Sequence, residues 1–276
     1  MSMFDLENRA KPVLKWAGGK SGILHDIVAN FPNQFERYFE PFLGGAAVFL
    51  ALEKRVPVIL NELNPEIVNM YRVVRDFPGE LMVSLDVHES LYSEEYYYAV
   101  RAMKPTNFIE MAARTVFLNK TGFNGLYRQN SKGEFNVPFG KRSKCPALYV
   151  SSNLFLVSEK LRGIEFMNGD FELALAHARE GDFVYCDPPY EPVSRTSSFN
   201  SYTHTGFSQA DQTRLHKACE LAVRRGATVA VSNSAASFIK TLYVGWDVRM
   251  VKANRAINSR GDSRGAVDEV LVLMRG

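Results

Sequence analysis

Asp182-Phe183-Val184-Tyr185-Cys186-Asp187-Pro188-Pro189-Tyr190 is a short, mostly apolar run closed by an acid, two prolines and a tyrosine. Its length and flanking turn formers read as a buried strand, and the prolines fix the direction in which the chain leaves it. Open parallel sheets collect their chemistry at the carboxyl ends of their strands, so Asp187 stands where a site would be. Working outward, Arg37 to Glu40 reads as another strand, followed by the turn Pro41-Phe42-Leu43-Gly44-Gly45 and a helix over Ala46 to Leu52. Val56 to Asn61 is a further buried strand, with Glu62 just past its end. Strand, glycine turn, helix, strand and acid, in that order, form the first half of a Rossmann-like sheet. Later strands are predicted over 165–168, 228–232, 246–252 and 267–274, with helices over 209–225 and 235–241. Near the N-terminus, Val13 to Trp16 is extended and Ser21 to Asn30 has the spacing of an amphipathic helix. From 66 to 148 the pattern changes: helical segments at 66–76, 78–87, 93–103 and 108–120 lead into a stretch rich in Asn, Gly and basic residues. The expected architecture is α/β, with a discontinuous catalytic unit (1–64 and 150–276) interrupted by a mostly helical insertion (65–149).

The 276 residues suffice for one large domain, or for one carrying a smaller one. With 46% hydrophobic and 23% charged residues, the composition is that of an ordinary globular chain. No apolar run reaches the ~20 residues of a membrane helix, and MSMFDLENRAK lacks a signal-type apolar stretch. Cys145, Cys186 and Cys219 are too widely spaced for a zinc site or a disulfide framework, so a reducing cytoplasm and no metal are expected. The net charge of +3 is modest, but it is unevenly spread. Lys120, Arg128, Lys132, Lys141, Arg142 and Lys144 face a single acid, Glu134, between 119 and 144. Arg249, Lys252, Arg255, Arg260 and Arg264 face only Asp262. Local polyanion contacts and solvated loops are both compatible with such segments.

Three motifs carry the chemistry. In Asp187-Pro188-Pro189-Tyr190, a carboxylate and the Pro188 carbonyl can accept the two N–H bonds of an aromatic amine such as adenine N6, whose lone pair is otherwise drawn into the ring. Tyr190 offers a face for stacking a base taken out of its helix. In Phe39-Glu40-Pro41-Phe42-Leu43-Gly44-Gly45-Ala46-Ala47, small residues allow close approach to a ligand. The G-x-G-x-x-G fingerprint of a dinucleotide site is absent, which favours a cofactor without phosphate, and Glu62 is placed to bind ribose hydroxyls. In Lys15-Trp16-Ala17-Gly18-Gly19-Lys20, Gly19-Lys20-Ser21 imitates a phosphate loop, but Leu14 stands where that loop needs glycine. Trp16 and Lys20 can instead hold the charged tail of a cofactor, with Lys20 facing a carboxylate; core packing is the plain reading of Trp16.

Together, in this order, the three motifs resemble the Dam-type family of DNA adenine methyltransferases of the alpha class. Two stretches of the insertion strengthen the likeness: Thr121-Gly122-Phe123-Asn124-Gly125-Leu126-Tyr127-Arg128 and Gly133-Glu134-Phe135-Asn136-Val137-Pro138-Phe139-Gly140. The resemblance covers the chain from Pro12 to about Leu273 and implies a Rossmann-like class I S-adenosylmethionine methyltransferase sheet of seven strands, the last antiparallel. It implies S-adenosylmethionine held by Trp16, Lys20, the Phe42–Gly44 turn, Glu62 and Asp187, with Asp170 and Phe171 meeting its adenine ring. Glu62 departs from the aspartate of several members, and Asp170 reads equally well as a helix N-cap. Asp187, Pro188 and Tyr190 would be catalytic. The implied target is double-stranded GATC, read by Lys15, Asn124, Leu126, Arg128 and Pro138, with Phe123 filling the gap left by a flipped adenine. Lys120, Lys132, Lys141 and Arg142 would meet phosphates. Segment 191–208 resembles a loop closing over the base, and 253–265 a basic hairpin near the backbone. Methylation of RNA or single strands, and DNA binding without catalysis, are the competing readings. A role alone and a partnership with a cognate restriction endonuclease both stay open.

Overall fold

The computed structural model describes residues 9–53, 55–193, 207–254 and 266–276. Among them is a sheet of seven strands: β1 (Arg37–Glu40), β2 (Val58–Glu62), β3 (Glu165–Asn168), β4 (Asp182–Cys186), β5 (Thr228–Ser234), β6 (Asp247–Asn254) and β7 (Ala266–Met274). Their spatial order is β3-β2-β1-β4-β5-β7-β6. The first five pair in parallel, and β7 lies antiparallel to both β5 and β6, the sheet that the resemblance implies. The chain steps outward from β1 through β2 to β3, then returns to place β4 on the other side of β1. The order therefore reverses between β1 and β4, the point at which open parallel sheets carry a crevice outside their carboxyl ends. Glu40 ends β1, and Asp187 follows the last residue of β4.

Side chains alternate across the pleat. Tyr38, Leu60, Phe183 and Tyr185 face one buried cluster, whereas Phe39, Ile59, Val184 and Cys186 face the other. The second cluster is covered by α7 (Phe171–Ala176), α8 (Gln209–Arg224) and α9 (Ser237–Leu242). The first continues without a break into the helices between β2 and β3: α2 (Pro65–Asp76), α3 (Pro78–Ser90), α4 (Glu94–Ala102) and α5 (Phe108–Thr121), joined by α6 (Ser151–Leu161). Asn64, Ser93 and Asn107 cap α2, α4 and α5 through side-chain oxygens that accept first-turn N–H groups. Ser208 and Asp211 form a reciprocal capping box on α8.

Three local expectations change. The helix expected over Ala46 to Leu52 is a tight turn with only a 3-10 helix at Phe49–Ala51, because Ala46 sits at φ +59°, outside helical space. The helix expected over Ser21 to Asn30 contracts to α1 (Leu24–Val28), preceded by a 3-10 helix at Lys20–Gly22. Helix α6, absent from the sequence reading, buries Leu154, Val157 and Leu161 at helical spacing. Most of the proposed closing loop and basic hairpin (194–206 and 255–265) lies outside the described residues.

Candidate active site

The turn after β4 is braced from behind. Gln212 of α8 donates Nε2 to the Pro189 carbonyl at 2.9 Å and accepts from Asn233 Nδ2 at 3.0 Å. Asn233 Oδ1 takes the Glu191 N–H at 3.1 Å, and Ser234 Oγ donates to the Glu191 carbonyl at 2.6 Å. Tyr190 donates its hydroxyl to Glu269 Oε2 of β7 at 2.9 Å. Pro188 is buried, and Pro189 is exposed. At the front, Lys20 Nζ lies 2.7 Å from Asp187 Oδ1, donates to the Gly18 carbonyl at 2.6 Å and sits 4.7 Å from the centre of the Tyr190 ring. Lys20 is 4% exposed and Asp187 22%, so the carboxylate is the member of the pair that meets the crevice. Burial raises the Asp187 carboxyl above its ordinary range, and the Lys20 charge pulls it back. Behind them Glu40 is buried and pushed up to about 8, chiefly by loss of solvent, although Tyr38 donates a hydrogen bond to it at 3.0 Å.

Glycine at 44 and 45 serves a neighbour inside the chain. Gly44 has φ +47°, and a Cβ there would lie 2.5 Å from Trp16 Nε1; a Cβ on Gly45 would lie 2.9 Å from Trp16 Cβ. The turn is further held by Tyr71, whose hydroxyl donates to the Gly44 carbonyl at 3.0 Å. Glu62 accepts the Gly44 N–H on Oε2 and the Asn64 N–H on Oε1, each at 3.0 Å. Burial raises the Glu62 carboxyl, and these backbone donors oppose the rise. Phe42 and Phe171 stack at 5.3 Å with planes 26° apart, and Phe207 closes on both. Asp170 caps α7 by accepting the Glu172 N–H and also takes Arg214 at 3.1 Å, so the N-cap reading describes its geometry. The resulting set of a partly buried carboxylate after β4, an acid at the end of β2 and aromatic faces fits a cationic, phosphate-free nucleoside cofactor.

Residues between β2 and β3 meet the N-terminal motif directly. Asn119, fully buried at the end of α5, accepts the Lys15 N–H at 2.8 Å and donates Nδ2 to the carbonyls of Lys15 and Gly125 at 2.9 and 3.1 Å. Gly125, at φ +65°, leaves room for the Lys15 stem, which a Cβ would meet at 2.3 Å. Trp16 stacks on Tyr127 at 5.8 Å. Lys15 is lowered by burial and by Arg142, and burial beside Lys15 brings Lys120 down to about 8. Phe123 is 47% exposed, and its N–H donates to the Pro138 carbonyl at 2.8 Å. Asn124 takes the left-handed conformation at φ +54° and is exposed, as is Pro138; Leu126 is half-buried. Arg128 commits Nε to Asn136 Oδ1 at 2.7 Å. Thus Lys15 meets Asn119 and Gly125, Trp16 meets Tyr127, Arg128 pairs with Asn136, and Lys20 joins Asp187 and Tyr190. Sequence reasoning missed Asn119, Tyr127, Gln212, Asn233 and Glu269. The signal for Asn119 is a polar residue directly after the apolar Val116-Phe117-Leu118.

Residues 16–257 match the family described as D12 class N6 adenine-specific DNA methyltransferase. A type II methyltransferase of Lactococcus lactis subsp. cremoris is 39% identical over 274 residues, covering 96% of each chain. A type II methyltransferase of Methanocaldococcus jannaschii is 40% identical over 285 residues, 95% of this chain and 98% of the relative. The DNA adenine methylase of Escherichia coli is 34% identical over 273 residues, 98% of this chain and 96% of the relative. With the family motifs standing around one crevice at the β1–β4 reversal, the chain belongs to the D12 class of N6 adenine-specific DNA methyltransferases.

Proposed function

We propose that this adenine-N6 DNA methyltransferase modifies GATC in duplex DNA, taking the target base out of the helix and transferring the methyl group to it directly. The observation that carries the reading is the Asp187 carboxylate, paired with Lys20 at 2.7 Å and facing the crevice above β4, two residues before the Pro189 carbonyl that Gln212 anchors. Asp187 and the Pro188 carbonyl accept the two N6–H bonds, and the Tyr190 ring supplies the stacking face. Held this way, the nitrogen is oriented for attack by positioning and electrostatics alone. S-adenosylmethionine, when bound, supplies an electrophilic methyl group on a cationic sulfonium. Trp16, Lys20, Phe42, Gly44, Glu62, Asp170, Phe171 and Asp187 are the residues that would hold it.

On the DNA side, segment 65–149 acts as the target-recognition unit against a catalytic unit of 1–64 and 150–276. Lys15, Asn124, Leu126, Arg128 and Pro138 read bases. The two terminal nitrogens of Arg128 suit the O6 and N7 acceptors of a guanine. Phe123, with its exposed ring, fills the space of the flipped adenine. The type II names of two relatives support a partnership with a cognate restriction endonuclease. No helix among the described residues is long and apolar enough to cross a membrane.

The test is methyl transfer from labelled S-adenosylmethionine to duplexes carrying GATC, to permuted duplexes, to single strands and to RNA, with 2-aminopurine fluorescence at the target reporting extrusion. Label confined to the adenine of duplex GATC, with a rise in fluorescence, is the expected result. Equal labelling of the permuted duplex would remove the GATC assignment.

A further inference from the structure

Tyr127 sits at the centre of a polar network that the transfer step does not require. Its hydroxyl donates to Glu66 Oε2 at 2.7 Å and accepts from Asn64 Nδ2 at 3.2 Å and from Gln129 Nε2 at 3.3 Å. Asn64 Nδ2 also reaches Gln129 Oε1 at 3.2 Å, and Arg114 holds the other Glu66 oxygen at 3.8 Å. From Asn64 the network continues inward, since its backbone N–H donates to Glu62, which in turn takes the Gly44 N–H. A second route leaves the Tyr127 ring, which stacks on Trp16, the side chain lodged against Gly44 and Gly45. One residue thus reaches the same glycine turn by a hydrogen-bonded path and by an aromatic path. A groove of about 410 Å³ runs beside the first path, lined by Glu62, Asn64, Glu66, Gln129 and Gly133, so the turn side and the insertion share one open wall. In sequence, Tyr127 lies between Leu126 and Arg128.

We infer that Tyr127 is a positioning residue that couples the methyl-donor site to the base-reading strip. A ligand that fixes the Gly44–Glu62 turn fixes Asn64 and Trp16, these fix Tyr127, and Tyr127 sets the backbone that carries Leu126 and Arg128. A network whose donors and acceptors are matched specifies one arrangement, and removing one member loosens the others. Coupling between two binding sites is reciprocal, so DNA bound on the strip tightens donor binding by the same factor. The inference rests on the proposed assignment of the turn to the donor and of the strip to GATC.

Tyr127→Phe keeps the ring, its stack on Trp16 and its burial, and deletes only the hydroxyl. Asn64→Ser keeps an oxygen to cap α2 and deletes the amide donor. For the full chain and both variants, the dissociation constants of a GATC duplex and a permuted duplex are measured by fluorescence anisotropy, with and without saturating S-adenosylhomocysteine. For the unsubstituted chain, the product is expected to tighten GATC binding by about tenfold, within the usual range of such couplings. In both variants, which cut the hydrogen-bonded route and leave the aromatic one, that factor falls to about threefold or less. Binding of S-adenosylhomocysteine alone, and of DNA alone, changes by less than about threefold; a residue that only stabilised the fold would leave the ratio intact. Should Tyr127→Phe fail to fold, Asn64→Ser carries the same measurement. The inference is overturned by an unchanged factor in a folded variant, or by no coupling in the unsubstituted chain. A chain that binds both duplexes equally would instead show the failure of the proposed specificity.

Discussion

Glu40→Gln should abolish a pH dependence of stability that is built into the site. The carboxyl is 2% exposed and is carried from 4.5 to about 8, mainly by burial, with Asp187 raising it further and Tyr38 and Lys20 opposing. Below about 4.5 both folded and unfolded chains hold the proton, and the group contributes nothing to the balance. Between 4.5 and about 8 the unfolded chain has released the proton while the folded chain keeps it. The unfolded state is therefore favoured more strongly as pH rises through that window, by ~1.4 kcal/mol per pH unit. From pH ~5.5 to ~7.5 the folded protein loses roughly 3 kcal/mol on account of Glu40 alone. Glutamine keeps an oxygen to accept the Tyr38 hydroxyl and carries no proton to lose. In a chain of this length, 1 kcal/mol moves Tm by ~2 °C. The Tm difference between variant and unsubstituted protein should thus widen by roughly 5 °C across that interval, in favour of the variant. Thermal unfolding followed by circular dichroism at stepped pH measures it, and the difference cancels the titration of every other group. A flat difference curve would mean that Glu40 is already ionised in the folded chain, and the reasoning would be refuted.

Three other outcomes follow from the geometry. Asp187→Ala removes the proposed acceptor of an N6–H bond, and methyl transfer should vanish while the circular dichroism spectrum of the folded chain holds, even as loss of the partner of buried Lys20 lowers Tm; retained turnover would sink the proposed chemistry. Gly44→Ala forces a Cβ at φ +47° to within 2.5 Å of Trp16 Nε1. The left-handed backbone costs ~1–2 kcal/mol and a disturbed Trp16–Tyr127 stack ~0.5–1.5 kcal/mol, so denaturant titration should report a loss of about 2–3 kcal/mol with a shift in tryptophan emission. Arg128→Ala should relax discrimination at one base of the target by ~1–3 kcal/mol, read as a ratio of kcat/KM on substituted duplexes, and an unchanged ratio would remove Arg128 from the readout.

The sheet was legible because its strands are short apolar runs with turn formers at both ends, and Asp187 was legible because a proline pair leaves an acid just past such a run. The turn at 46–52 was not: Ala46-Ala47-Val48-Phe49-Leu50-Ala51-Leu52 has helical composition, but Ala46 turns left-handed and the stretch after it buries Val48, Phe49, Leu50 and Leu52 in the first core cluster. Tertiary packing overrode propensity. Beyond the close approach to a ligand that the sequence suggests, glycine at 44 also makes room for Trp16. That second role depends on a contact between residues 28 positions apart, which no local pattern encodes. The same holds for Asn119, whose amide serves Lys15 from 104 residues away. The motifs name the chemistry, but the polar residues that hold them against one another are known only once the chain is folded.

The two acids at the crevice divide one problem between them. In the proposed function Asp187 takes an amine hydrogen and must stay an acceptor on both oxygens, which requires the charged form in a place where burial favours the neutral one. Lys20 answers that at 2.7 Å, but a single ammonium facing two ionised carboxylates would be shared. With Glu40 holding its proton to about 8, the Lys20 charge is left to Asp187, and the pair is close to neutral when the cationic donor arrives. Acids whose surroundings separate their protonation in this way take different roles. On this argument Glu40→Gln should spare transfer near neutral pH, where Glu40→Asp, shorter and better solvated, would compete for Lys20 and weaken it. The pH profile of kcat separates the two: glutamine should hold the rate level above pH ~8, where the native acid begins to ionise, and a fall in the glutamine variant at the same pH would place the titrating group elsewhere.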